Sequence, residues 1–458
     1  RIKYSVDMFG NIKQKDIYIN DSNYNTYKYK FNYLNYPSVS TNATNDSTLT
    51  SYDGLERPVR TINPDLSETY NQYFYLNNLP DYFGSAYSGF IDKVNFTDEM
   101  QNHFEKYYDA VGNLIQEIKY ASESPSDITT VKMITNYKYD SLYRLVKVQT
   151  PNNKFIYYSY DGYGRQSQRI TPDAGQNNYV YDKNSNLTYS QDANQRNTDL
   201  HKYTFRNYDG INRQTGIGEN IFMDDSPSDG GQFTSSNPDI YLTINVYDTL
   251  LSAIVNIFNS PPSDYYSEPN YSKGQLVSTA YRTRFEDNWS FKYYRYDVRG
   301  RVIKYWLITD SIDQKSTAYE YNSQDQITRL IYNFSGSDFK KYRYRYDYTG
   351  RLSHVDNYTG SPSTDDPTSY DNFVYYTYNQ NSLLDNINFI ETTLINKFTY
   401  DNRSRIIGFS GSNNAFGYDN NYFANGNISS QNFYGNYRLS MANTDALDFD
   451  YSYDKSNR

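Results

Sequence analysis

Tyr294-Arg295-Tyr296-Asp297-Val298-Arg299-Gly300-Arg301-Val302 returns fifty residues later as Tyr344-Arg345-Tyr346-Asp347-Tyr348-Thr349-Gly350-Arg351-Leu352. Halfway between, Tyr319-Glu320-Tyr321-Asn322-Ser323-Gln324-Asp325-Gln326-Ile327 keeps the rhythm, with Asn for Asp and Asp for Gly. Counting Tyr271 as the first, the tyrosines at 271, 296, 321 and 346 stand 25 residues apart. A fixed period of this length predicts a stacked array of small supersecondary units rather than a compact enzyme domain.

Looser copies run through nearly the whole chain. They begin at Tyr4 with Asp7, Gly10, Asn11 and Ile12, and continue at Tyr52-Asp53 with Arg57, and at Tyr108-Asp109 with Gly112 and Asn113. Tyr139-Asp140 with Arg144, Tyr160-Asp161 with Gly164 and Arg165, and Tyr181-Asp182 with Asn186 follow at steps of 21 residues. Tyr208-Asp209, Tyr247-Asp248, Tyr378-Asn379, Tyr400-Asp401 with Arg405, Tyr418-Asp419 and Tyr453-Asp454 carry the phrase to the C-terminus. A period that varies while the phrase persists is the mark of insertions between repeats.

One unit reads as a β-hairpin step. In Lys341-Tyr342-Arg343-Tyr344-Arg345-Tyr346-Asp347 the aromatics fall on one strand face and the charges on the other, a period of two. Asp starts a turn because its carboxylate accepts from backbone N–H groups two or three residues on, and Gly or Asn later in the turn tolerates positive φ. A type I turn closed by a left-handed residue is a common hairpin connection. The Arg that follows can lie its stem against a neighbouring Tyr ring and pair its head with an Asp. Tyr108, Asp109, Gly112, Tyr160, Asp161, Gly164, Arg165, Tyr296, Asp297, Gly300, Arg301, Tyr346, Asp347, Gly350, Arg351, Tyr400, Asp401 and Arg405 are therefore assigned structural roles. A residue type present in every unit builds the array rather than performing chemistry.

Composition agrees. Of 458 residues, 37% are hydrophobic and 18% aromatic, so Tyr and Phe supply about half the apolar inventory. Mean hydropathy of −0.89 with alternating aromatics predicts a thin, ordered sheet with extensive polar surface. Cys is absent, which excludes disulfides and a catalytic thiol. A net charge of −9 weighs against nucleic-acid binding. No apolar run approaches the ~18 residues of a membrane span.

Clusters at 224–231, 260–264 and 360–367 read as exposed loops, as does the Asn-, Ser- and Thr-rich stretch before Tyr52. Leu250 to Phe258 reads as a buried strand or a short plug. The chain begins inside a repeat at Arg1 and stops as another opens at Tyr453, so residues 1–458 read as one repeat region of a longer chain, with no separate second domain.

The tandem Tyr-Asp phrase with its Gly-Arg-Leu or Gly-Asn-Leu continuation resembles the RHS/YD-repeat family, most closely from Tyr294 to Asn357. The resemblance implies an all-β fold in which tandem hairpins form a long spiralling antiparallel sheet, a hollow shell or part of one. It further implies a secreted or cell-surface protein, as in bacterial RHS polymorphic toxins, insecticidal toxin-complex cocoons and teneurins. The implied partner is a C-terminal effector domain or other cargo inside the shell, with a secretion-system component and glycans as further partners. One family feature is missing: no Asp-Pro-x-Gly-Leu core-closing segment occurs, and Asp366-Pro367 and Pro64-Asp65 do not extend into one.

Searches for chemistry return little. His103, His201 and His354 have no partner at metal or triad spacing, and Gly216-Ile217-Gly218 lacks the third glycine of a nucleotide loop. The acidic stretch from Asp224 lacks the order of a calcium loop. The expectation is a non-enzymatic shell without cofactor or metal. The alternative is a glycan-binding surface protein whose exposed Tyr, Trp289 or Trp306 stacks on sugars.

Overall fold

The computed structural model describes residues 1–19, 23–121, 131–197, 202–221, 241–249, 261–267, 269–284, 287–309, 313–334, 339–360, 369–392, 394–412, 416–435 and 447–450. Among these residues 33 strands run from β1 (Ile2–Val6) to β33 (Leu447–Asp450), with one helical turn, α1 (Ala193–Asn197). Each strand pairs antiparallel with the next in sequence, as β1 does with β2 (Ile12–Tyr18) and β32 (Ile428–Gly435) does with β33. The result is one continuous meander, so the all-β expectation holds. The loops at 224–231 and 361–367, the apolar run 250–258, His201 and the last repeat from Tyr453 lie outside the described residues.

A meander has two edges, and the Tyr-Asp corners all lie on one of them, here called the near edge. Each near-edge hairpin that carries the Tyr-Asp or Tyr-Asn phrase steps one residue out of register at its Tyr, and the first two do so at Val6 and Phe31. Tyr296 faces Val302 and Tyr346 faces Leu352. The extra residue is the left-handed one that closes the turn. It is Gly at 10, 112, 164, 274, 300, 350 and 426, and Asn, Ser, Asp or a larger residue at others, as at Asn212, Ser404 and Tyr143.

Three readings of the sequence change. The polar stretch before Tyr52 is not loop: it forms β3 (Tyr24–Phe31), β4 (Pro37–Thr41) and β5 (Ser47–Tyr52), because ladder hydrogen bonds hold polar strands when both neighbours pair. Tyr418-Asp419 is not a corner but lies inside β31 (Phe416–Tyr422), whose turn follows at Phe423. Tyr271 does not begin a unit of its own. Asp248 donates its amide to the Gln275 carbonyl, and its carboxylate accepts from the Gly274 amide. Tyr247-Asp248 and Gly274-Gln275-Leu276 are thus two halves of a single corner, split by an insertion.

Thick packing occurs in two places only among the described residues. The hairpin of β7 (Glu68–Tyr82) and β8 (Ser85–Thr97) outgrows its neighbours, and its tip folds over the sheet. There the Tyr82 hydroxyl donates to the Tyr137 carbonyl at 2.6 Å, and Leu79, Ile91, Tyr107, Ile115 and Ile118 are buried together. In the second place, Tyr265 of the insertion covers Tyr293, Trp306, Val277 and Phe291. Elsewhere most described side chains are half-buried, with exceptions such as Tyr203 and Phe205 of β17 (Lys202–Tyr208), which are buried beside Tyr189 and Tyr241.

The turn geometry fixes the sign of two substitutions. At Gly164 (φ +82°) an added Cβ would meet nothing closer than the Arg144 guanidinium at 3.8 Å, so only backbone strain opposes it. Gly164→Ala is expected to cost about 1 kcal/mol, whereas Ser404→Gly, at φ +65°, is expected to gain up to about 1 kcal/mol. Hydrogen exchange at the two corners measures both.

Candidate functional site

Most near-edge corners are organised by an Asp, and those at 32, 322 and 379 by an Asn in its place. In the 297–301 corner, Asp297 Oδ1 accepts from the amides of Arg299 at 2.9 Å and Arg301 at 3.0 Å. The acceptor positions are therefore two and four residues on, and the amide three residues on, Gly300, donates instead to the Asp297 carbonyl at 3.0 Å. Oδ2 accepts from Arg301 Nε at 2.7 Å. The same bonds recur at Asp53, Asp140, Asp161, Asp209, Asp347 and Asp401 with their arginines. At Asp109, Asn113 takes the place of Arg through its side-chain amide at 2.9 Å.

The held Arg connects its unit to the next. The Arg301 guanidinium lies 4.6 Å from the centre of the Tyr321 ring, and Arg144, Arg165, Arg351 and Arg405 sit likewise on Tyr160, Tyr181, Tyr378 and Tyr422. The Tyr hydroxyl then donates to the carbonyl of the residue just after that Arg. Tyr321 reaches Val302 at 2.7 Å, Tyr160 reaches Leu145 at 2.7 Å and Tyr422 reaches Ile406 at 2.7 Å. Tyr296, Tyr346 and Tyr400 make this bond to Leu276, Ile327 and Leu384. Arg301 Nη1 also reaches the next turn, at the Asn322 carbonyl. The phrase is thus a relay in which Asp folds the turn, Arg is fixed by Asp, and the next Tyr is fixed by Arg and by the carbonyl beside it. Tyr108 stands apart, because the overgrown β7–β8 hairpin occupies the place of the preceding unit.

The relay shapes its own electrostatics. The Asp53 carboxyl lies below its ordinary value, chiefly through the Arg57 side chain and then the Arg57 amide. At Asp297 burial works upward, but the Arg301 amide and guanidinium outweigh it and the net direction is down. Burial pushes the Tyr296 hydroxyl up to about 12.

The two edges of the sheet meet. Asn381 Nδ2, at the near-edge corner after β27 (Tyr370–Tyr378), donates at 3.0 Å to Thr44 Oγ1, at the far-edge corner after β4. Asn402 Nδ2, at the corner after β29 (Leu394–Tyr400), donates at 2.8 Å to the Pro64 carbonyl at the far-edge corner after β6 (Pro58–Ile62). Both contacts join corners 23 strands apart (27 − 4 and 29 − 6), so the sheet winds into a spiral whose later turn rests on its earlier one. An ion cluster secures this seam: Arg403 pairs with Asp65 at 3.4 Å and with Glu99 at 3.1 Å, and Arg405 with Asp65 at 3.2 Å. The far-edge corners are built like the near ones. Asp98 Oδ1 accepts from Met100 and Asn102, and Asn42 Oδ1 from Thr44 and Asp46.

The residues proposed for sugar stacking fare differently. Trp306 is fully buried, and its Nε1 donates to Asp264 at 2.9 Å, so it has no face to offer a glycan. Trp289 is partly buried under the Arg282 guanidinium, 4.5 Å from its ring. His354 stacks beside Tyr375, and His103 Nδ1 shares a hydrogen bond with Thr97. Among the described residues no three His, Asp or Glu converge as metal ligands, and no helix is long and apolar enough to cross a membrane.

No family model and no curated protein matches the sequence. Solved structures do match in fold. The chain aligns over its full length, at TM-score 0.71 and 13% identity, with the crystal structure of TcdB2-TccC3-Cdc42. It aligns over 99% at TM-score 0.71 and 12% identity with TcdB2-TccC3 without the hypervariable C-terminal region. The Photorhabdus luminescens Tc holotoxin pore matches at TM-score 0.71 and 12% identity over the whole chain. In each case residues 1–458 span 23% of the matched chain. The fold is therefore that of the toxin-complex shell chains, as the RHS/YD-repeat resemblance implied.

Two expectations follow. Because the carboxyls of Asp53, Asp140, Asp161, Asp209, Asp297 and Asp347 lie below, and the hydroxyls of Tyr160, Tyr181, Tyr296, Tyr321, Tyr346, Tyr378 and Tyr400 above, their unfolded values, these groups contribute stability above about pH 4 that is lost as pH falls through the folded Asp values. They contribute stability below about pH 10 that is lost as pH rises through the folded Tyr values. A pH series of thermal unfolding should show both limbs, and Asp347→Ala should speed exchange of the Thr349 and Arg351 amides about tenfold at neutral pH. At the seam, Arg403→Ala should raise exchange in the 63–67 and 98–102 corners, more than 300 residues away in sequence, and leave the 161–165 corner unchanged.

Proposed function

We propose that residues 1–458 form a stretch of non-catalytic shell wall whose work is containment of a polypeptide cargo, a C-terminal toxin or effector, in a secreted or surface-exposed bacterial protein. The observation that carries this reading is the seam. A sheet that winds until its near edge rests on its own far edge encloses a space, and one with every strand paired to its neighbours keeps its backbone groups satisfied while doing so.

The dimensions support a particular state of the cargo. At ~4.8 Å per strand, 23 strands make a circumference of about 110 Å and a width of about 35 Å between backbones. Side chains lining the wall take about 5 Å from each side and leave about 25 Å. A folded domain of ~100 residues measures about 34 Å across. A cargo of that size would be held unfolded in a bore this narrow. The titratable side chains of the relay are engaged with one another, which suits a wall rather than a catalyst.

The test is limited proteolysis of the intact polypeptide that carries residues 1–458. A protected fragment from outside the repeat sequence, released only when the wall is denatured, supports containment. Digestion of everything outside the repeats under native conditions contradicts it.

A further inference from the structure

Two elements of the chain lie on top of the sheet, and they do so with the same residue types. The tip of the β7–β8 hairpin carries Asp81-Tyr82-Phe83, and the insertion at the split corner carries Asp264-Tyr265-Tyr266. In each, the Asp carbonyl accepts from a side chain of the sheet beneath, Gln116 Nε2 of β10 (Leu114–Ala121) or Arg295 Nη1. The first aromatic packs downward and the second stands edge-on to it, with ring centres 4.8 and 4.9 Å apart. Gln116 faces Asn136, and Tyr265 packs on Tyr293. Asn136 and Tyr293 each stand three residues before a corner Tyr (139 − 136 and 296 − 293), so both elements cover the face turned away from the corner tyrosines.

We propose that the recess under Asp264 and Tyr265 is a binding site for a polypeptide segment in which a carboxylate residue precedes an aromatic one, and that the insertion occupies it in cis. The recess is built by the ladder alone: Tyr293 and Arg295 of β21 (Ser290–Tyr296) face Trp306 and Lys304 of β22 (Val302–Thr309). Its walls match such a segment. Asp264 accepts the Trp306 indole N–H at 2.9 Å on one carboxylate oxygen and the Lys304 ammonium on the other. The Tyr265 ring centre lies 5.5 Å from that of Trp306 and 5.9 Å from that of Tyr293. Asn270, which donates to the Tyr265 hydroxyl at 3.0 Å, is itself fixed to the Tyr294 carbonyl and the Tyr296 amide. It therefore stays in place to meet the hydroxyl of an incoming Tyr. The insertion is held as a ligand is held, by side chains. Among the described residues, the backbone-to-backbone bonds of Asp264–Ser267 stay inside its own turn, Tyr265 to Pro262 at 2.8 Å and Ser267 to Asp264 at 3.2 Å. No ladder bond breaks when it leaves. Tyr266, at the rim, is 69% exposed, so solvent reaches the contact. The fit is also incomplete: Ser278 of β20 (Leu276–Tyr281), across the ladder from Tyr293, is fully buried, and its hydroxyl has no hydrogen-bond partner among the described residues. A segment that brings a polar group to that hydroxyl removes a penalty that the insertion leaves standing. Whether the wall holds cargo does not enter this argument.

The test is fluorescence anisotropy of a dye-labelled peptide with the sequence of residues 261–267, titrated with the intact polypeptide that carries residues 1–458. Asp264→Ala/Tyr265→Ala empties the recess and should bind the peptide saturably, about tenfold or more tightly than the natural chain, whose recess is filled. Adding Lys304→Gln should weaken that binding about tenfold. An unlabelled peptide with Ala in place of Asp and the first Tyr should not compete. Circular dichroism shows whether the double variant keeps its sheet. If the sheet is lost, Asp264→Asn, which retains the cover of Tyr265, should still bind the peptide more tightly than the natural chain does. No saturable binding by a folded variant up to about 1 mM, equal binding by variant and natural chain, or equal competition by the Ala-substituted peptide would each overturn the proposal.

Discussion

The structure depends on the hydrogen bond between a corner Asp and the Arg four residues on. An Arg on a bare strand end would sweep through solvent, and its cation–π contact would count for little against the lost side-chain freedom. Asp297 removes that freedom before Arg301 meets Tyr321, because it already folds the turn from which Arg301 projects. The next Tyr thus finds a planar cation and a carbonyl in fixed positions. A chain with few aliphatic residues acquires long-range order in this way: each unit settles the place of the one after it, and stability accumulates between neighbours as in other repeat arrays.

Repetition of one corner also sets the curvature. Adjacent strands in a sheet rotate in one sense, and a bulge repeated at every Tyr adds the same local bend each time. Equal bends compound into a spiral, and after 23 strands the later edge lies on the earlier one. The seam then needs only polar tips of matching chemistry. Arg403 supplies the largest share, bonding to Asp65, Ser67, Glu99 and the Ala424 carbonyl at once. Insertions disturb this geometry little. The split corner at Asp248 closes with the usual amide-to-carbonyl bond to Gln275 although 26 residues intervene.

Much of the fold was legible because its signals are local. Alternation in Lys341 to Asp347, the turn chemistry of Asp and Gly, and the Arg that follows each lie within a few residues, and together they predict hairpins along one edge. What the sequence hid is what depends on distance. Nothing near Arg403 marks Asp65 or Glu99 as its partners, and the far-edge corners lack the Tyr that flags the near ones. Their only trace is a five-residue frame with Asn or Asp at its start, as at Asn42, Asn63 and Asp98. A lone Trp such as Trp306 on an alternating strand reads as a sugar platform because nothing in the sequence shows its cover, which comes from Tyr265, 41 residues earlier.

The central claim is that the corner relay winds the sheet back onto itself. It is tested most directly by a spin-label distance between the tips that meet, with labels attached through Ala43→Cys and Gln380→Cys beside the Thr44–Asn381 contact. The spiral predicts a single narrow distribution near 20 Å, a value set by two label linkers of about 5–10 Å each and by the contact between their neighbours. A sheet that stays open would separate the same positions by up to about 110 Å of ladder, and a broad or unmeasurably long distance would contradict the account.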